Sequence, residues 1–526
     1  MSSLALTPFH DLPRSVAMRR ADRRAAARRQ RAIGRTLLLS LFLLGPAVRL
    51  SAEEPETKQK PARPQARNVL LLVSDDLKAS VLGCYGDRVG KTPNIDRLAA
   101  RGMLFRRAYC QGTWCRPSRL SMMYSQYEGA SPNSARPNLG EHLRANGFHS
   151  ARVGKIFHMR VPGDIIDGTH GDDVAASWDE RFNSAGREAH TPGDYACLNL
   201  NIFTDALEGR QSTRMPHRMF VTVRYRGDGS DQPDYKTADK TMELLRRHKE
   251  SGQPFFLAAG FVRPHYPMVA PEQYFAPYSW QAMRLPEARE GDLDDIPRAG
   301  WAGTRSGSNS IGKHPDNQRR MWAGYYAAVS FMDAQVGRVL DELDRLGLSE
   351  TTAIVFTSDH GYHLGEHTFW QKSNLHEDVT RVPLIISAPG IKPGATDALA
   401  ELVDLYPTLA DLVAAPAPEG LDGVNLAPVL RNSAAVVREG ALSLHQGHSW
   451  RTRDWAYMRY NDGSEELYDM RDDPGQFDNL AQSDPHRETK AQLAGQLDEQ
   501  LKRHGLARAE RSSAKKKKRR ENAKDR

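Results

Sequence analysis

The sequence predicts an α/β fold in which helices cover both faces of a large, mostly parallel sheet. Two runs, at residues 68–73 and 353–356, are apolar without interruption after the initial Asn68, as expected of strands that are buried on both faces. Segments with helical patterns lie between the apolar runs, and alternating strands and helices form parallel sheets. A chain of 526 residues is long enough for one oversized domain or for a large domain with a smaller one attached.

The helices between the strands are marked by residues that start and stop helices. Thr92 with Pro93 begins one helical pattern, which ends at Gly102. Pro117 is expected to open a second helix that runs toward Gly129. The remaining helices are predicted over residues 139–145, 237–247 and 321–346, and the last two lead into strands at 255–261 and 353–356.

Two long segments, roughly 160–232 and 276–318, break this alternation. They are rich in Gly, Pro, Asp and Arg, so we expect functional loops rather than regular elements there. After about residue 400 the pattern changes to short strands, such as 455–460, and a terminal helix near 486–504. These features predict a catalytic domain over residues 68–400 and a small α+β subdomain over residues 401–508.

The net charge of +8 belongs to the two ends of the chain. Residues 1–35 carry nine Arg and two Asp, and residues 511–526 carry nine Lys or Arg and two acids. The body between them is therefore mildly acidic, and we do not expect a nucleic-acid partner. Residues 53–67 are predicted to be a linker, and residues 509–526 a disordered basic tail.

The N-terminal 52 residues have the order of a signal peptide. A basic region precedes an apolar stretch at residues 36–44, which is too short for a stable membrane span, and small residues follow it. This order predicts an exported protein. The alternative is a basic tail with an uncleaved anchor.

Carboxylates follow two of the predicted strands. Asp75 and Asp76 come after the first strand, and Asp359 with His360 comes after the strand at 353–356. Ligands of open α/β sheets bind beyond the carboxyl ends of the strands, where these acids are expected to converge. Hard oxygen ligands favour Ca²⁺ or Mg²⁺. The alternative is that each pair only caps a turn.

Cys115 lies between these acidic pairs, in the segment Cys115-Arg116-Pro117-Ser118-Arg119. The four cysteines of the chain fit neither a disulfide framework nor a zinc pattern. A helix opened at Pro117 places Cys115 at its N-terminus, where backbone amides favour an anion, and Arg119 reaches the same point. A lone cysteine is otherwise a small core residue.

The segment resembles the Cys-x-Pro-Ser-Arg signature of type I sulfatases, a family with an alkaline-phosphatase-like fold. The resemblance covers roughly residues 67–480. It includes Thr92-Pro93-Asn94, Gly154-Lys155-Ile156-Phe157-His158, Arg263-Pro264-His265-Tyr266-Pro267, Ser358-Asp359-His360-Gly361 and Glu466-Leu467-Tyr468-Asp469. Phe157 and the residues around Lys372 are most similar to the iduronate-2-sulfatase branch.

The resemblance implies a chemistry in which a maturation enzyme oxidises Cys115 to formylglycine. One Ca²⁺ per chain is implied, with the converted Cys115, Asp75, Asp76, Asp359 and His360 as its ligands. Arg119 is implied to hold the hydrated aldehyde. Lys155 and Lys372 are implied to bind the sulfate, and His158 and His265 are implied to transfer protons. A sulfate ester needs such help, because an alkoxide is a poor leaving group.

The predicted function is therefore hydrolysis of sulfate esters, with a sulfated carbohydrate as the expected substrate. Two alternatives remain open: a related phosphoester or phosphonate hydrolase, and a non-catalytic glycan-binding relative. The segment 160–232 offers subsites for an anionic polysaccharide through Arg187, Arg210, Arg214, Arg218, Arg224, Arg226, His170, His190 and His217, although a solvated loop is an equal alternative.

Overall fold

The computed structural model describes residues 65–507, apart from residues 129, 130, 132 and 133. The predicted signal peptide and basic tail lie outside this range, as does the predicted linker except for its last three residues. Within the described range, no helix has the length and apolar character needed to cross a bilayer.

The strands of the described chain, in order, are β1 (Asn68–Asp75), β2 (Met103–Tyr109), β3 (His149–Gly154), β4 (Glu180–Phe182), β5 (Gly193–Cys197), β6 (Ile202–Thr204), β7 (Val221–Tyr225), β8 (Phe255–Pro264), β9 (Met268–Pro271), β10 (Thr304–Arg305), β11 (Thr352–Ser358), β12 (His363–Leu364), β13 (Phe369–Gln371), β14 (Arg381–Ser387), β15 (Gly394–Glu401), β16 (Gly440–Leu444), β17 (Gly447–Thr452), β18 (Trp455–Tyr460) and β19 (Glu465–Asp469). The helices are α1 (Pro93–Arg101), α2 (Cys115–Tyr124), α3 (Leu139–Ala145), α4 (Gly163–Asp167), α5 (Pro233–Ser251), α6 (Glu272–Phe275), α7 (Pro315–Arg345), α8 (Glu377–Thr380), α9 (Leu405–Leu412), α10 (Ala427–Arg431) and α11 (Arg487–Arg503).

The main sheet has eight strands in the order β15-β2-β14-β11-β1-β8-β3-β4. Strand β1 lies between β11 and β8 and is parallel to both. Only β14 runs antiparallel to its neighbours in this sheet, which are β11 and β2. The prediction of a large, mostly parallel sheet is confirmed.

Both faces of the main sheet are covered by helices, because β1 is apolar on both sides. Leu70 and Leu72 pack into one core with residues of α5 and α7, and Leu71 and Val73 pack into another with residues of α2 and α9. Every residue of β1 is buried. Burying a leucine side chain stabilises a fold by about 1.5–3 kcal/mol, so these strands anchor the molecule.

Three helices begin earlier than the sequence pattern predicts. Helix α2 starts at Cys115 rather than at Pro117, and it ends at Tyr124, before the predicted Gly129. Helices α5 and α7 begin at Pro233 and Pro315, each a proline in the first turn. Their first turns are polar, and polar residues do not show the apolar periodicity on which the prediction depended.

The expectation of irregular loops over residues 160–232 was wrong in part. This segment contributes β5, β6 and β7 to a second sheet of order β6-β5-β7-β9. One face of that sheet buries Tyr195, Val221 and Val223, whereas the other carries Thr222 and Arg224. The strands are short and polar on one side, so the segment's composition resembles that of a loop.

The C-terminal part contains an antiparallel sheet of order β16-β17-β18-β19. Leu493, Leu497 and Leu501 recur every four residues along α11 and pack in one core with Trp450 and Tyr457 of this sheet. Helices α9 and α10, although inside the predicted subdomain, contribute to the core of the main sheet.

Candidate active site

The two acidic pairs lie side by side because β1 and β11 are parallel neighbours in register. Ser74 is paired with Ser358, so Asp75, Asp76 and Asp359 all emerge at the same edge of the sheet. The backbone N–H of Asp76 donates to Asp359 Oδ1 at 3.1 Å. All three carboxylates are fully buried. The predicted convergence at the strand ends is what the structure shows.

Cys115 is the first residue of α2, and its side chain points into this carboxylate cluster. Its Sγ lies 3.2 Å from Lys372 Nζ, 3.4 Å from His360 Nε2, 3.8 Å from Asp76 Oδ1 and 3.9 Å from Lys155 Nζ. The residue is only 2% exposed. Cys115 is therefore surrounded by charged groups, which a small core residue would not be.

Arg119 lies one helical turn beyond Cys115 and ties the cluster together. Its guanidinium donates to Asp75 Oδ1 at 2.9 Å and to Asp359 Oδ2 at 2.8 Å. It also donates to the carbonyl oxygens of Lys155 and Ile156 at 2.6 and 3.0 Å. These bonds hold the side chain rigidly, so its charge is fixed at the floor of the site.

Lys155 follows β3, whose partner β8 comes unusually close. A Cβ at Gly260 would lie 1.9 Å from the Lys155 carbonyl oxygen, so only glycine fits there. The Lys155 ammonium donates to Asp75 Oδ2 at 2.5 Å. This close approach of two strands places the ammonium beside Cys115.

Lys372 reaches the cluster from the other side, on a strained loop. Its neighbours Gln371 and Ser373 have φ angles of 81° and 73°, a backbone conformation that residues other than glycine rarely adopt. Gln371 donates to the Tyr266 hydroxyl at 3.0 Å, and Trp370 donates to Ser306 Oγ at 2.7 Å. These contacts hold the loop so that Lys372 Nζ lies 2.5 Å from Asp76 Oδ1.

Two buried histidines turn the same nitrogen toward the carboxylates. In His360, Nδ1 lies 2.9 Å from the Gly361 carbonyl oxygen, so the ring proton belongs on Nδ1. His360 Nε2 then faces Asp76 Oδ1 at 3.3 Å. His265 repeats this arrangement, with Nδ1 2.7 Å from the Tyr266 carbonyl oxygen and Nε2 3.8 Å from Asp76 Oδ2.

His158 lies at the edge of the cluster rather than inside it. Its ring contacts Trp114 edge-on, with 6.1 Å between the ring centroids, and Trp114 is 40% exposed. Burial, together with the charge of Lys155, lowers the pKa of His158 to about 4. His158 is therefore neutral at pH 7 in the free protein.

The cluster fits a divalent cation. Asp76 Oδ2 is buried without a hydrogen-bond partner among the described residues, and the Nε2 atoms of His360 and His265 lie 3.3 and 3.8 Å from the two Asp76 oxygens. Although burial raises the pKa of Asp75, Lys155 and Arg119 bring it well below its ordinary value, whereas burial raises the pKa of Asp76. Lys372 bonds Asp76 Oδ1, so Oδ2 is the oxygen left open to a further positive charge. Carboxylate oxygens with an imidazole suit a hard divalent ion.

The sequence analysis did not identify two residues that hold the carboxylate-bearing residues in place. Tyr325 of α7 donates to the carbonyl oxygen of Asp76 at 2.6 Å and so holds Asp76 at its φ of 64°. The Ser118 hydroxyl donates to the carbonyl oxygen of Asp359. Tyr325 lies in a long apolar helix, where its sequence context is that of a core residue. Ser118 is part of the Cys115 signature, which gave it no role of its own.

The arginines expected to form polysaccharide subsites have different environments. Arg210 is buried and donates only to backbone carbonyl oxygens, so it is a structural residue and not a subsite. Arg218 lies 5.7 Å from the ring centroid of Tyr266, beside the cluster. Arg224 and Arg226 form ion pairs with Glu272 and Asp194.

A second group of charged residues lies close to the first in sequence. Lys78, which follows the Asp75-Asp76 pair, is 2% exposed and contacts Glu366 Oε1 at 2.5 Å and Asp378 Oδ1 at 2.9 Å. His363 Nδ1 lies 3.8 Å from Glu366 Oε2. We name Lys78, His363, Glu366 and Asp378 the lysine cluster.

Comparison with known proteins decides the family. The sulfatase family model matches residues 67–415, which is most of the chain. The chain belongs to the sulfatase family. A second model, for the C-terminal part of N-sulphoglucosamine sulphohydrolase, matches residues 365–503 of this sulfatase. Human iduronate 2-sulfatase is 32% identical over 447 residues, which cover 73% of this sulfatase and 75% of the human protein.

Solved structures share the fold of this sulfatase. The phosphonate monoester hydrolase of Agrobacterium radiobacter superposes with a TM-score of 0.69 at 21% identity, over 84% of this chain and 96% of that one. A protein solved with its substrate D-glucosamine-2-N,6-O-disulfate superposes with a TM-score of 0.65 at 19% identity, over 84% and 98% of the two chains. The alkaline-phosphatase-like fold, with an antiparallel C-terminal subdomain, is confirmed.

Proposed function

We propose that this sulfatase cleaves sulfate esters of an anionic carbohydrate, using a formylglycine derived from Cys115 and one bound Ca²⁺. The observation that carries the proposal is the placement of Cys115 at the start of α2, among three buried carboxylates and three buried cations. A divalent ion would leave this site with excess positive charge, which an anionic ester offsets.

The environment of Cys115 favours a modified side chain. Burial raises the pKa of the Cys115 thiol, so at pH 7 the unmodified residue is a neutral thiol and a weak nucleophile. Asp75, Asp76, Asp359 and His360 would hold the ion, together with the oxygen of the converted side chain. When bound, the ion and the hydrated aldehyde would supply an ionised hydroxyl as the nucleophile.

Lys155 and Lys372 are placed to bind the sulfate. Their ammonium groups lie 3.9 and 3.2 Å from the sulfur atom of Cys115, so an ester that approaches Cys115 meets both charges. Charge that moves onto the sulfate oxygens during the reaction is stabilised by such fixed cations. Arg119 is held by Asp75 and Asp359 beneath them and adds to the positive field.

Protonation of the leaving group falls to His158 or His265. Burial and the neighbouring lysines lower the pKa of both side chains, so both are neutral before the substrate binds. A bound anionic ester adds negative charge and favours protonation of the nearer histidine, which can then donate to the departing oxygen. The exposed Trp114 beside His158 offers an apolar wall for a sugar ring.

The carbohydrate part of the proposal is supported by relatives and by Arg218. Human iduronate 2-sulfatase is named for a sulfated uronic acid, and a structural relative was solved with a sulfated glucosamine. Arg218 faces the ring of Tyr266 and has no carboxylate within 4.0 Å among the described residues. Its position beside the site suits an acidic sugar substituent.

Two measurements test the proposal. Mass spectrometry of the Cys115 peptide, from protein made in its native host, should show the aldehyde in place of the thiol. Sulfate release from defined sulfated disaccharides should then exceed phosphonate hydrolysis under the same conditions. A faster reaction with a phosphonate monoester would favour the alternative hydrolase, and binding without any turnover would favour a glycan-binding protein.

We also propose that the protein is exported, on the basis of its N-terminal sequence. N-terminal sequencing of protein recovered from the periplasm or medium should show a start after residue 52. Recovery of the uncleaved chain from the membrane fraction would contradict this.

A further inference from the structure

We name as the catalytic cluster the residues that surround Cys115, which are Asp75, Asp76, Arg119, Lys155, His265, Asp359, His360 and Lys372. A cavity of about 690 Å³ lies outside the catalytic cluster, between the second sheet and the beginning of α7. Its volume is in the range of pockets that bind small ligands. Phe203, Arg224, Arg226, Trp280 and Arg320 are among its lining residues, and none of the residues placed in the catalytic cluster lines it. We name this cavity the Arg320 pocket.

Arg320 brings a positively charged guanidinium to the lining of this pocket. Its guanidinium lies 3.9 Å from the ring centroid of Trp280 and 5.4 Å from that of Phe203. Within the described part of the chain, no carboxylate lies within 4.0 Å of it, and its buried Nε has no hydrogen-bond partner. The positive charge of this guanidinium is therefore not paired with a carboxylate, and an anion in the pocket would form a charge-assisted hydrogen bond with it.

The other two arginines of the pocket can be recruited at low cost. Arg224 and Arg226 pair with Glu272 and Asp194, but all four side chains are between 44% and 61% exposed. Exposed ion pairs contribute at most about 1 kcal/mol, so an incoming anion can compete for either arginine.

The aromatic residues define the rest of the ligand. Phe203 is 51% exposed, an unusual state for a phenylalanine on a soluble surface. Trp280 adds a second ring, partly exposed. Flat aromatic faces stack on the apolar faces of sugar rings, whereas an inorganic anion would leave them unused. A wholly apolar ligand, in turn, would leave the charge of Arg320 without an anionic partner.

The pocket lies within reach of a chain bound at the active site. Thr222, which lines it, is paired with Met268 of β9, and β9 begins three residues after His265. Three residues span at most about 11 Å, and paired strands are about 5 Å apart. The backbone distance from Thr222 to His265 is therefore at most about 16 Å, and this is the span that an oligosaccharide in both places would have to bridge.

We propose that the Arg320 pocket binds a second, acidic sugar unit of the substrate polymer, with a sulfate or carboxylate on Arg320 and the sugar ring against Trp280 and Phe203. This inference rests on the proposed function, since it takes the substrate to be a sulfated carbohydrate. It makes the enzyme one that favours polymers over single sugars.

The test compares Arg320→Gln with Arg319→Gln. Arg319 is the next residue of α7, pairs with Asp316 and does not line the pocket, so its replacement removes the same charge without touching the site. A heparin-derived hexasaccharide would be titrated calorimetrically into each variant made in a Cys115→Ala background, which prevents turnover. We expect Arg320→Gln to weaken binding about tenfold and Arg319→Gln less than twofold, because a charge-assisted hydrogen bond is worth roughly that factor.

With Cys115 intact, Arg320→Gln should raise KM for the hexasaccharide and leave p-nitrophenyl sulfate hydrolysis unchanged. Trp280→Ala provides an independent variant that should have the same effect if Arg320→Gln does not fold. Equal weakening by Arg320→Gln and Arg319→Gln, or unchanged binding in both Arg320→Gln and Trp280→Ala, would overturn the proposal. Because p-nitrophenyl sulfate reports on the chemistry alone, such a result is distinguishable from failure of the sulfatase mechanism.

Discussion

The catalytic cluster and the lysine cluster contain similar residues but differ in how their carboxylates are bonded. Each combines carboxylates with a buried histidine, and both are reached from the segment that follows β1. In the lysine cluster, Lys78 contacts both Glu366 and Asp378 and supplies the positive charge itself. In the catalytic cluster, Arg119, Lys155 and Lys372 bond the three carboxylates, yet the buried Asp76 Oδ2 has no hydrogen-bond partner among the described residues. One lysine bonds both carboxylates of the first cluster, whereas the second keeps a buried oxygen for a further cation.

This difference shows how to separate a structural acidic site from a metal site. Counting acids and histidines does not distinguish them, because both groups qualify by residue type and proximity. A buried carboxylate oxygen without a partner does distinguish them. Among the described residues Asp76 Oδ2 has none, whereas both oxygens of Glu366 accept hydrogen bonds, from Lys78 and from the backbone N–H of Leu364. The following predictions test that distinction, beginning with the largest expected effect.

Removal of one carboxylate from each cluster should affect activity very differently. We expect Asp76→Asn to lower sulfate release by about 10²–10³-fold or more, because the ion and Lys372 both lose a charged partner. Asp378→Asn should retain activity within a few fold, since Lys78 keeps Glu366.

Chelation of the wild type should abolish sulfate release, and Ca²⁺ should restore it. Full activity of the chelated enzyme would end the metal assignment.

Replacement of the two buried lysines should separate activity from stability. Lys372→Met is expected to lower kcat/KM about 100-fold and to change stability little, because it leaves Asp76 to the ion. Lys78→Met should keep most of the activity but reduce the free energy of unfolding by about 2 kcal/mol, since it strands two partly buried carboxylates. Denaturant unfolding of the Ca²⁺-loaded proteins measures this. The reverse pattern would show that the two clusters have been assigned the wrong roles.

The pH dependence of stability should show how much the Glu366 carboxylate contributes when it is paired with Lys78. Although burial raises the pKa of Glu366, Lys78 and His363 bring it well below its ordinary value. A depressed carboxylate pKa adds stability that is fully present above the ordinary value, about 4.3, and is lost as the pH falls below it. Lys78→Met should therefore lose less stability than the wild type between pH 5 and pH 3, as measured by thermal unfolding. Parallel curves would contradict this.

The smallest effect is expected from Tyr325→Phe. The change removes two hydrogen bonds, one that the hydroxyl donates to the carbonyl oxygen of Asp76 and one that it accepts from the backbone N–H of Lys78, and it leaves every proposed ligand in place. Residues that orient ligands typically change metal affinity by about 10–100-fold, and we expect the lower end. Calcium titration of activity measures the shift, and Tyr326→Phe on the same helix is a matched control. Equal calcium affinity in both variants would show that Asp76 is held by its other contacts.

The sequence predicts the main sheet and most of the site because both depend on local signals. Uninterrupted apolar runs marked β1 and β11, and the acids that follow them could only meet at one sheet edge. The second sheet was missed because its strands are short and half polar. Tyr325 was missed because its role depends on the packing of α7 beneath β1, which no local pattern encodes. The orientation of the histidine rings is likewise a property of tertiary contacts.

Gly260 carries a consequence for judging related chains. Because the gap to the Lys155 carbonyl oxygen admits a hydrogen and nothing larger, one added methyl would push the ammonium away from its position beside Asp75 and Cys115. Such a chain would still possess each acid, base and cysteine of the site. A relative with alanine at this position would therefore be classed as a working enzyme by its functional groups and yet turn over its ester poorly.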